Sequence, residues 1–468
     1  MLRVLAAGVL LLSAPSLAAP NRSPGGGPRR LAAGPADAPV DRLFKEWLGA
    51  INSGEAAAIK AFYAKHLEGP NPVFVLETAQ DTCGFRVERI EARSPTSMTV
   101  LLRERCLPGR HRAKLELQAD GAKLKALDLT PLALPGDGPI RAAVDIAGRL
   151  AARGEFAGSL IVTRGGKSVL ARSWGLADPA TRSPMTLDTP MFLASAGKMF
   201  TAVAALQLVE AGRIDLDAPI GRYLADYPNA EMAKVTIRQL LTHRGGTGDI
   251  GILGREDGAN RARVRTIADL VRLNGARAPD FPPGTKADYS NYGFILLGAV
   301  IEKVTGGSYY DHVARHVFEP AGMRNSFFPD KDHLGGIAVG YTTFFGAEPK
   351  LVPNLDVLPW RGASAGGGVA TPNDMRRFFE ALKGGKLLSP AMLKLATSPG
   401  ETPWYGLGFV VQADDHPHWG HGGTSYGMDV ALHFYPKDDT AFICMAARDS
   451  VCNRLIYAWH LRTFGPAE

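Results

Sequence analysis

At residues 132–139 the chain reads "LALPGDGP". Pro135, Gly136, Gly138 and Pro139 mark this stretch as a break between elements. The break constrains the fold more than any other feature, because the patterns on its two sides differ in kind. Before it, "DRLFKEWLGAI" puts Leu43, Phe44, Trp47, Leu48 and Ile51 on one helical face. "NSGEAAAIKAFYAKHL" follows with Ser53 placed to cap a second helix. The segments "GFRVERIEAR", "SMTVLLRER", "HRAKLELQAD" and "LKALDLTPL" then alternate apolar and polar residues and predict strands. Helices followed by a meander predict a small α+β domain over 41–135. After the break, "AVDIAGRLAARGEFAGSLIVTRGGKSVLARSWG" predicts a helix and two strands that turn at Gly165-Gly166. It opens a larger region running from 140 to 468, and 468 residues suit two domains.

The N-terminus predicts export. "MLRVLAAGVLLLSAPSLAAP" has a basic start, a short apolar stretch and a small-x-small site, the order of a secretory signal peptide over 1–18 cut after Ala18. The Gly/Pro/Ala-rich stretch that follows predicts a flexible linker over 19–40. A periplasmic or secreted location follows, and no later run is long and apolar enough to predict a membrane span. Cys83/Cys106 and Cys444/Cys452 then face an oxidising compartment as two local pairs of disulfide candidates. Four cysteines allow three pairings, and buried free thiols fit the sequence equally. The net charge of +7 is scattered, with no basic block interleaved with aromatics, so nucleic acid is excluded as a partner. The oligomeric state leaves no mark in the sequence.

Chemistry first shows at "FLASAGKMFTA", residues 192–202. Ser195 precedes a helical run that ends at Gly212, and Lys198 follows one turn later on the same side. A serine hydroxyl needs an adjacent base, and a desolvated lysine can be one. An N-cap serine beside a surface lysine has the same spacing, so the pair needs partners. Tyr289-Ser290-Asn291 lies at a turn-to-helix junction, and His421-Gly422-Gly423 leads into an alternating strand. The glycine pair lets a substrate approach the strand backbone.

With these three elements in this order, the region from about 140 to 468 resembles the class C β-lactamase-like serine hydrolases, a family of carboxylesterases, DD-peptidases and D-aminopeptidases. "LLTHRGGTGDI", "FEPAGMRNSFF" and "GGGVATPNDMRRF" are similar to further family segments. The resemblance implies an α+β fold: an antiparallel sheet flanked by helices, with a helical lobe. It implies Ser195 as nucleophile, Lys198 as the group that deprotonates it or lowers the pKa of its partner, and Tyr289 as second acid/base. Asn291 would orient Lys198 and bind the carbonyl side of the substrate, and the backbone N–H groups of Ser195 and Thr424 would form the oxyanion hole. His421, Gly422 and Gly423 would line the substrate strand. No cofactor and no metal are implied, and the partner is a small ester, amide or peptide. His421 stands where β-lactamases and DD-peptidases of the family usually carry lysine, which favours a carboxylesterase. The domain over 41–135 is similar in element order to the cone-shaped domains related to nuclear transport factor 2.

Other readings compete. "GASAG" at 362–366 fits G-x-S-x-G, with Ser364 as nucleophile, but its flanks predict neither the strand nor the helix that such an elbow requires. His416, His418 and His421, or His312 with His316, are spaced as metal ligands can be, but "HVARH" lacks the glutamate of the zinc-protease motif. A β-lactamase or a cell-wall peptidase is the alternative activity, and a catalytically silent binding protein is the alternative of another class.

Overall fold

The computed structural model describes residues 38–67, 73–250, 264–344 and 350–466. The signal peptide and nearly all of the linker expected from the sequence lie outside the described residues. Two compact units share the chain: Met1–Ala142 with Trp459–Glu468, and Ala143–Ala458.

The first unit begins with α1 (Pro39–Ser53), α2 (Ala56–His66) and α3 (Val73–Thr82). Pro39 sits in the first turn of α1, where a missing N–H costs nothing, and Gly54 ends the helix at φ +67°. Ser53 does not cap α2. Glu55 holds that position, and the Ser53 hydroxyl accepts the Glu55 N–H instead. Four strands follow as an antiparallel meander: β1 (Phe85–Arg93), β2 (Ser97–Glu104), β3 (Arg110–Leu117) and β4 (Leu124–Pro131). Met98, Val100 and Leu102 of β2 and Ala113 and Leu115 of β3 alternate inward and pack on Trp47, Ile51 and Phe62. Cys83 is joined to Cys106, with Cα atoms 5.5 Å apart. Within this unit, Arg462 donates to the buried Glu104 carboxylate at 3.0 Å. That charge-assisted bond ties the end of the chain to β2.

The second unit is built on one antiparallel sheet. Its strands are β5 (Gly158–Arg164), β6 (Lys167–Trp174), β7 (Val410–Gln412), β8 (His418–Ser425), β9 (Met428–Tyr435) and β10 (Thr440–Ala446). They lie in the order β7-β8-β9-β10-β5-β6, so the end of the region pairs with its beginning. Gly165 and Gly166 turn β5 into β6 at φ +57° and +72°, a conformation that favours glycine. All of β10 is buried, and Cys444 in it is joined to Cys452. The helices that matter for the site are α4 (Gly138–Ala152), α5 (Lys198–Glu210), α6 (Ile237–Leu241), α7 (Ile267–Asn274), α8 (Asn291–Thr305) and α9 (Pro372–Lys383). α4 contains the boundary between the two units. α5 is buried almost all round, from Lys198 to Leu208, so it runs through the core rather than over it. α8 packs beside it with Phe294, Leu296, Leu297 and Ile301. Thr371 caps α9 by accepting from Asp374 N–H. Among the described residues, no helix is long and apolar enough to cross a membrane.

Candidate active site

Ser195 lies in a short 3-10 turn, Ala194–Gly197, that feeds directly into α5. Ala194 is held at φ +44°, a left-handed conformation that an L side chain adopts only under constraint. Two glycine approaches supply that constraint. A Cβ at Gly366 would lie 2.4 Å from the Ala194 carbonyl oxygen. A Cβ at Gly423 would lie 2.1 Å from the Leu193 carbonyl oxygen and 3.1 Å from the Ser195 nitrogen. β8 and the 362–368 loop therefore close on the turn from two sides, and neither could do so with a larger residue. Leu193 N–H bonds the Gly368 carbonyl at 3.0 Å, which fixes the loop to the turn.

Lys198 is fully buried at the first position of α5. Its Nζ donates to Asn291 Oδ1 and to the Ala365 carbonyl, each at 2.7 Å, and lies 3.3 Å from Ser195 Oγ. The ammonium also sits over the Tyr289 ring at 4.8 Å and the Phe294 ring at 5.5 Å. Burial pushes its pKa down to about 7, against the pull of the Asp249 carboxylate. A neutral amine has two N–H bonds and one lone pair. Asn291 and Ala365 occupy the two donors, which leaves the lone pair for Ser195. The geometry thus suits removal of the serine proton.

Tyr289 and Asn291 come from the start of α8. Ser290 caps the helix by accepting Gly293 N–H at 2.9 Å, and its hydroxyl also meets Thr247 Oγ1 at 2.6 Å. The turn is held from outside by His243. The His243 carbonyl accepts Asp288 N–H at 2.9 Å, and its Nδ1 accepts Ser290 N–H at 3.1 Å. The imidazole proton therefore sits on Nε2. The ring lies 4.3 Å from those of both Tyr289 and Tyr405. Burial, Lys198 and His421 hold it well below the usual histidine range, so it stays neutral. The Tyr289 hydroxyl is enclosed, and the Ser195 hydroxyl is the polar side chain that acts on it. Burial raises its pKa, partly offset by the Ser195 hydroxyl, so it rests as a neutral phenol.

His421 is placed differently from what its motif suggests. Its ring is 3% exposed and bonds to the Tyr405 hydroxyl, Nε2 to oxygen at 2.9 Å. Its Nδ1 meets the Gly422 carbonyl, so Nδ1 carries the proton and Tyr405 donates to Nε2. Burial pushes its pKa down to about 3, with Lys198 adding to the effect. The side chain is a neutral part of the wall. The Thr424 hydroxyl bonds the buried Asp429 carboxylate at 2.8 Å, so from that residue only the backbone is left for a substrate. An added Cβ at Gly422 would make ordinary contact with the Val430 carbonyl at 3.5 Å.

Ser364 is fully buried, and its hydroxyl has no hydrogen-bond partner among the described residues. A Cβ on Gly298 of α8 would lie 2.3 Å from that oxygen. It is packing inside a loop, and no substrate can reach it. His418 and His421 are three apart on β8, so they face opposite sides of the sheet. Among the described residues, no group of three or more His, Cys, Asp or Glu is arranged to hold a metal ion. The structure adds four contributors that the sequence reading assigned no role: His243, Asp249, Tyr405 and the Ala365 carbonyl. The quoted "LLTHRGGTGDI" contains the first two, and two glycines beside a histidine were the available signal. A backbone carbonyl leaves none.

Known proteins resemble this chain in sequence and in fold. Residues 144–462 match the Beta-lactamase family. A putative penicillin-binding protein, PbpX, from Bacillus subtilis (strain 168) is 29% identical over 62% of this chain and 70% of its own. The esterase EstB of Burkholderia gladioli is 31% identical over 58% of this chain and 74% of its own. A D-aminopeptidase from Brucella anthropi is 29% identical, and the match spans about half of it, 52%. Among solved structures, a penicillin-binding protein from Bacillus halodurans superposes with a TM-score of 0.62 at 29% identity, covering 67% of this chain and 98% of its own. The sheet order, the Ser195–Lys198–Asn291 contacts and a family match over more than half the chain agree: this protein belongs to the Beta-lactamase family, the serine β-lactamase-like hydrolases.

Proposed function

We propose that the protein is a serine hydrolase that works through an acyl-enzyme and prefers simple esters. One observation carries the reading: a buried Lys198 with both donors of its neutral form occupied and Ser195 Oγ at 3.3 Å. Lys198 takes the serine proton as Ser195 Oγ attacks the carbonyl carbon. The Ser195 N–H, beside the close Gly423 backbone, together with Thr424 N–H, stabilises the developing oxyanion. Tyr289, a neutral phenol in the resting site, donates its proton to the leaving group and recovers one from the water that cleaves the acyl-enzyme, with Lys198 as relay.

The strand approach is itself testable. Gly423→Ala puts a methyl group against the Leu193 carbonyl and forces the turn off β8. A displacement of that order costs about 10²-fold in kcat/KM. Steady-state kinetics on the variant, beside a melting curve that still shows a folded protein, checks this.

The ester preference rests on His421. A neutral, buried imidazole bonded to Tyr405 gives no charge to a substrate carboxylate. A charge-assisted hydrogen bond is roughly twice as strong as a neutral one, so a β-lactam loses an anchor that a neutral ester never needs. p-Nitrophenyl butyrate is therefore expected to turn over well and a chromogenic cephalosporin slowly or not at all. The same panel should include a D-alanyl peptide. Efficient cephalosporin hydrolysis with negligible esterase activity would overturn the preference. The esterase relative agrees with it, and the D-aminopeptidase relative supplies the alternative.

A further inference from the structure

The Asn291 side chain has two different ends, and both are occupied. Its Oδ1 accepts from Lys198 Nζ at 2.7 Å, and its Nδ2 donates to Asp249 Oδ1 at 2.8 Å. An ionised carboxylate can only accept, so it settles which end of the amide faces outward. A flipped Asn291 would set its oxygen against the carboxylate and its NH2 against the lysine. Both contacts would then be repulsive or unmade. Asp249 is exposed, and among the described residues its side chain accepts, besides Asn291, the Ile250 N–H at 2.8 Å.

We propose that Asp249 is a positioning residue of the reaction: through Asn291 it holds an acceptor oxygen on Lys198, so that the lysine keeps its lone pair on Ser195. The inference rests on the reading of Lys198 as the base. Orientation matters because the neutral lysine has two donors and one lone pair. If Asn291 presents its NH2 instead, Lys198 loses one of its two acceptors. Its lone pair is then drawn to the amide donor rather than to the serine proton.

A second effect acts through charge. The polar and charged groups facing Lys198 are Ser195, Tyr289, Asn291 and the Ala365 carbonyl, with His243 and His421 at longer range. Phe294 completes the apolar wall. Both histidines are neutral, and Asp249 is the group that draws the lysine pKa upward against burial. Lys198 works as a base only when neutral, so activity is lost as pH falls through its pKa. Removing the Asp249 charge lowers that pKa, and the acid limb of the rate profile moves to lower pH.

The test uses full-length protein and p-nitrophenyl butyrate, with kcat/KM and kcat followed from pH 5 to 9. Asp249→Asn keeps an oxygen for Asn291 but no charge, so the acid limb should shift down by roughly half a unit. Asp249→Ala removes the acceptor as well, and plateau kcat should fall about tenfold at nearly constant KM. Asp249→Glu should recover part of that loss. Melting temperatures should match the wild type, since the side chain is exposed. An unshifted limb in Asp249→Asn with an unchanged plateau in Asp249→Ala would overturn the proposal, as would a loss carried by KM alone. Ser195→Ala run beside them separates the two levels. If Ser195→Ala still turns over, the serine–lysine reading is what fails. If it is dead while both Asp249 variants behave as wild type, only the role of Asp249 fails.

Discussion

Ser195→Ala is expected to lower kcat by roughly 10⁶-fold, the scale on which serine hydrolases lose activity with their nucleophile. The size follows from what remains. Alanine leaves the backbone N–H groups, the strand approach and Lys198 in place, but no atom can form the acyl bond. Residual hydrolysis would have to use water, for which the Ser195–Lys198 spacing of 3.3 Å was not built. Ser364→Ala removes only a buried hydroxyl without a partner among the described residues, and it should keep most of the activity. Hydrolysis of p-nitrophenyl butyrate by the two variants checks both statements. The opposite result, a dead Ser364→Ala and an active Ser195→Ala, would return the nucleophile to the 362–366 loop.

Lys198→Met is the second large effect. Methionine fills a similar volume in a buried position and cannot take a proton. Loss of a general base costs about 10²- to 10⁴-fold, so kcat should fall by that much. The pH profile should change in kind as well. In the wild type, burial places the lysine pKa at about 7. If the neutral lysine is the base, activity should rise as pH increases through about 7 and fall away below it. Once the variant carries no titrating amine at this position, the limb near neutrality should disappear. A limb that persists in Lys198→Met, with a rate within about tenfold of wild type, would show that another group is the base.

Much of the framework was legible because it follows local periodicity. β3 alternates along its length, and the structure places β2 and β3 within three residues of the segments read as strands. The Gly165-Gly166 turn was legible for a different reason, since both positions need positive φ. α3 was not legible. "VFVLETAQDT" opens with β-branched and aromatic residues, which favour a strand over a helix. The attachment of Trp459–Glu468 to the first unit was not legible either. It depends on Arg462 reaching Glu104, a contact across hundreds of residues that no periodic pattern encodes.

At the site, residue types were legible and orientations were not. Ser195 and Lys198 are three apart on one turn, so their approach follows from helix geometry. Asn291 meets Lys198 from the start of α8, and the motif order suggested it. His421 shows the limit. On a strand, one residue of register decides whether a side chain faces the cleft or the wall, and "HGGTS" reads the same in both cases. The structure turns the ring to Tyr405, which no motif announced. Ala365 contributes through its carbonyl, and side-chain identity says nothing about where a carbonyl points.

Mapping the acyl adduct tests the central claim most directly. The protein is incubated with a fluorophosphonate or a slowly released acyl ester, digested, and the modified peptide is sequenced by mass spectrometry. A single adduct on Ser195, absent from Ser195→Ala and strongly slowed in Lys198→Met, is the expected result. An adduct on any other residue, or full turnover with no covalent intermediate at Ser195, would contradict the mechanism.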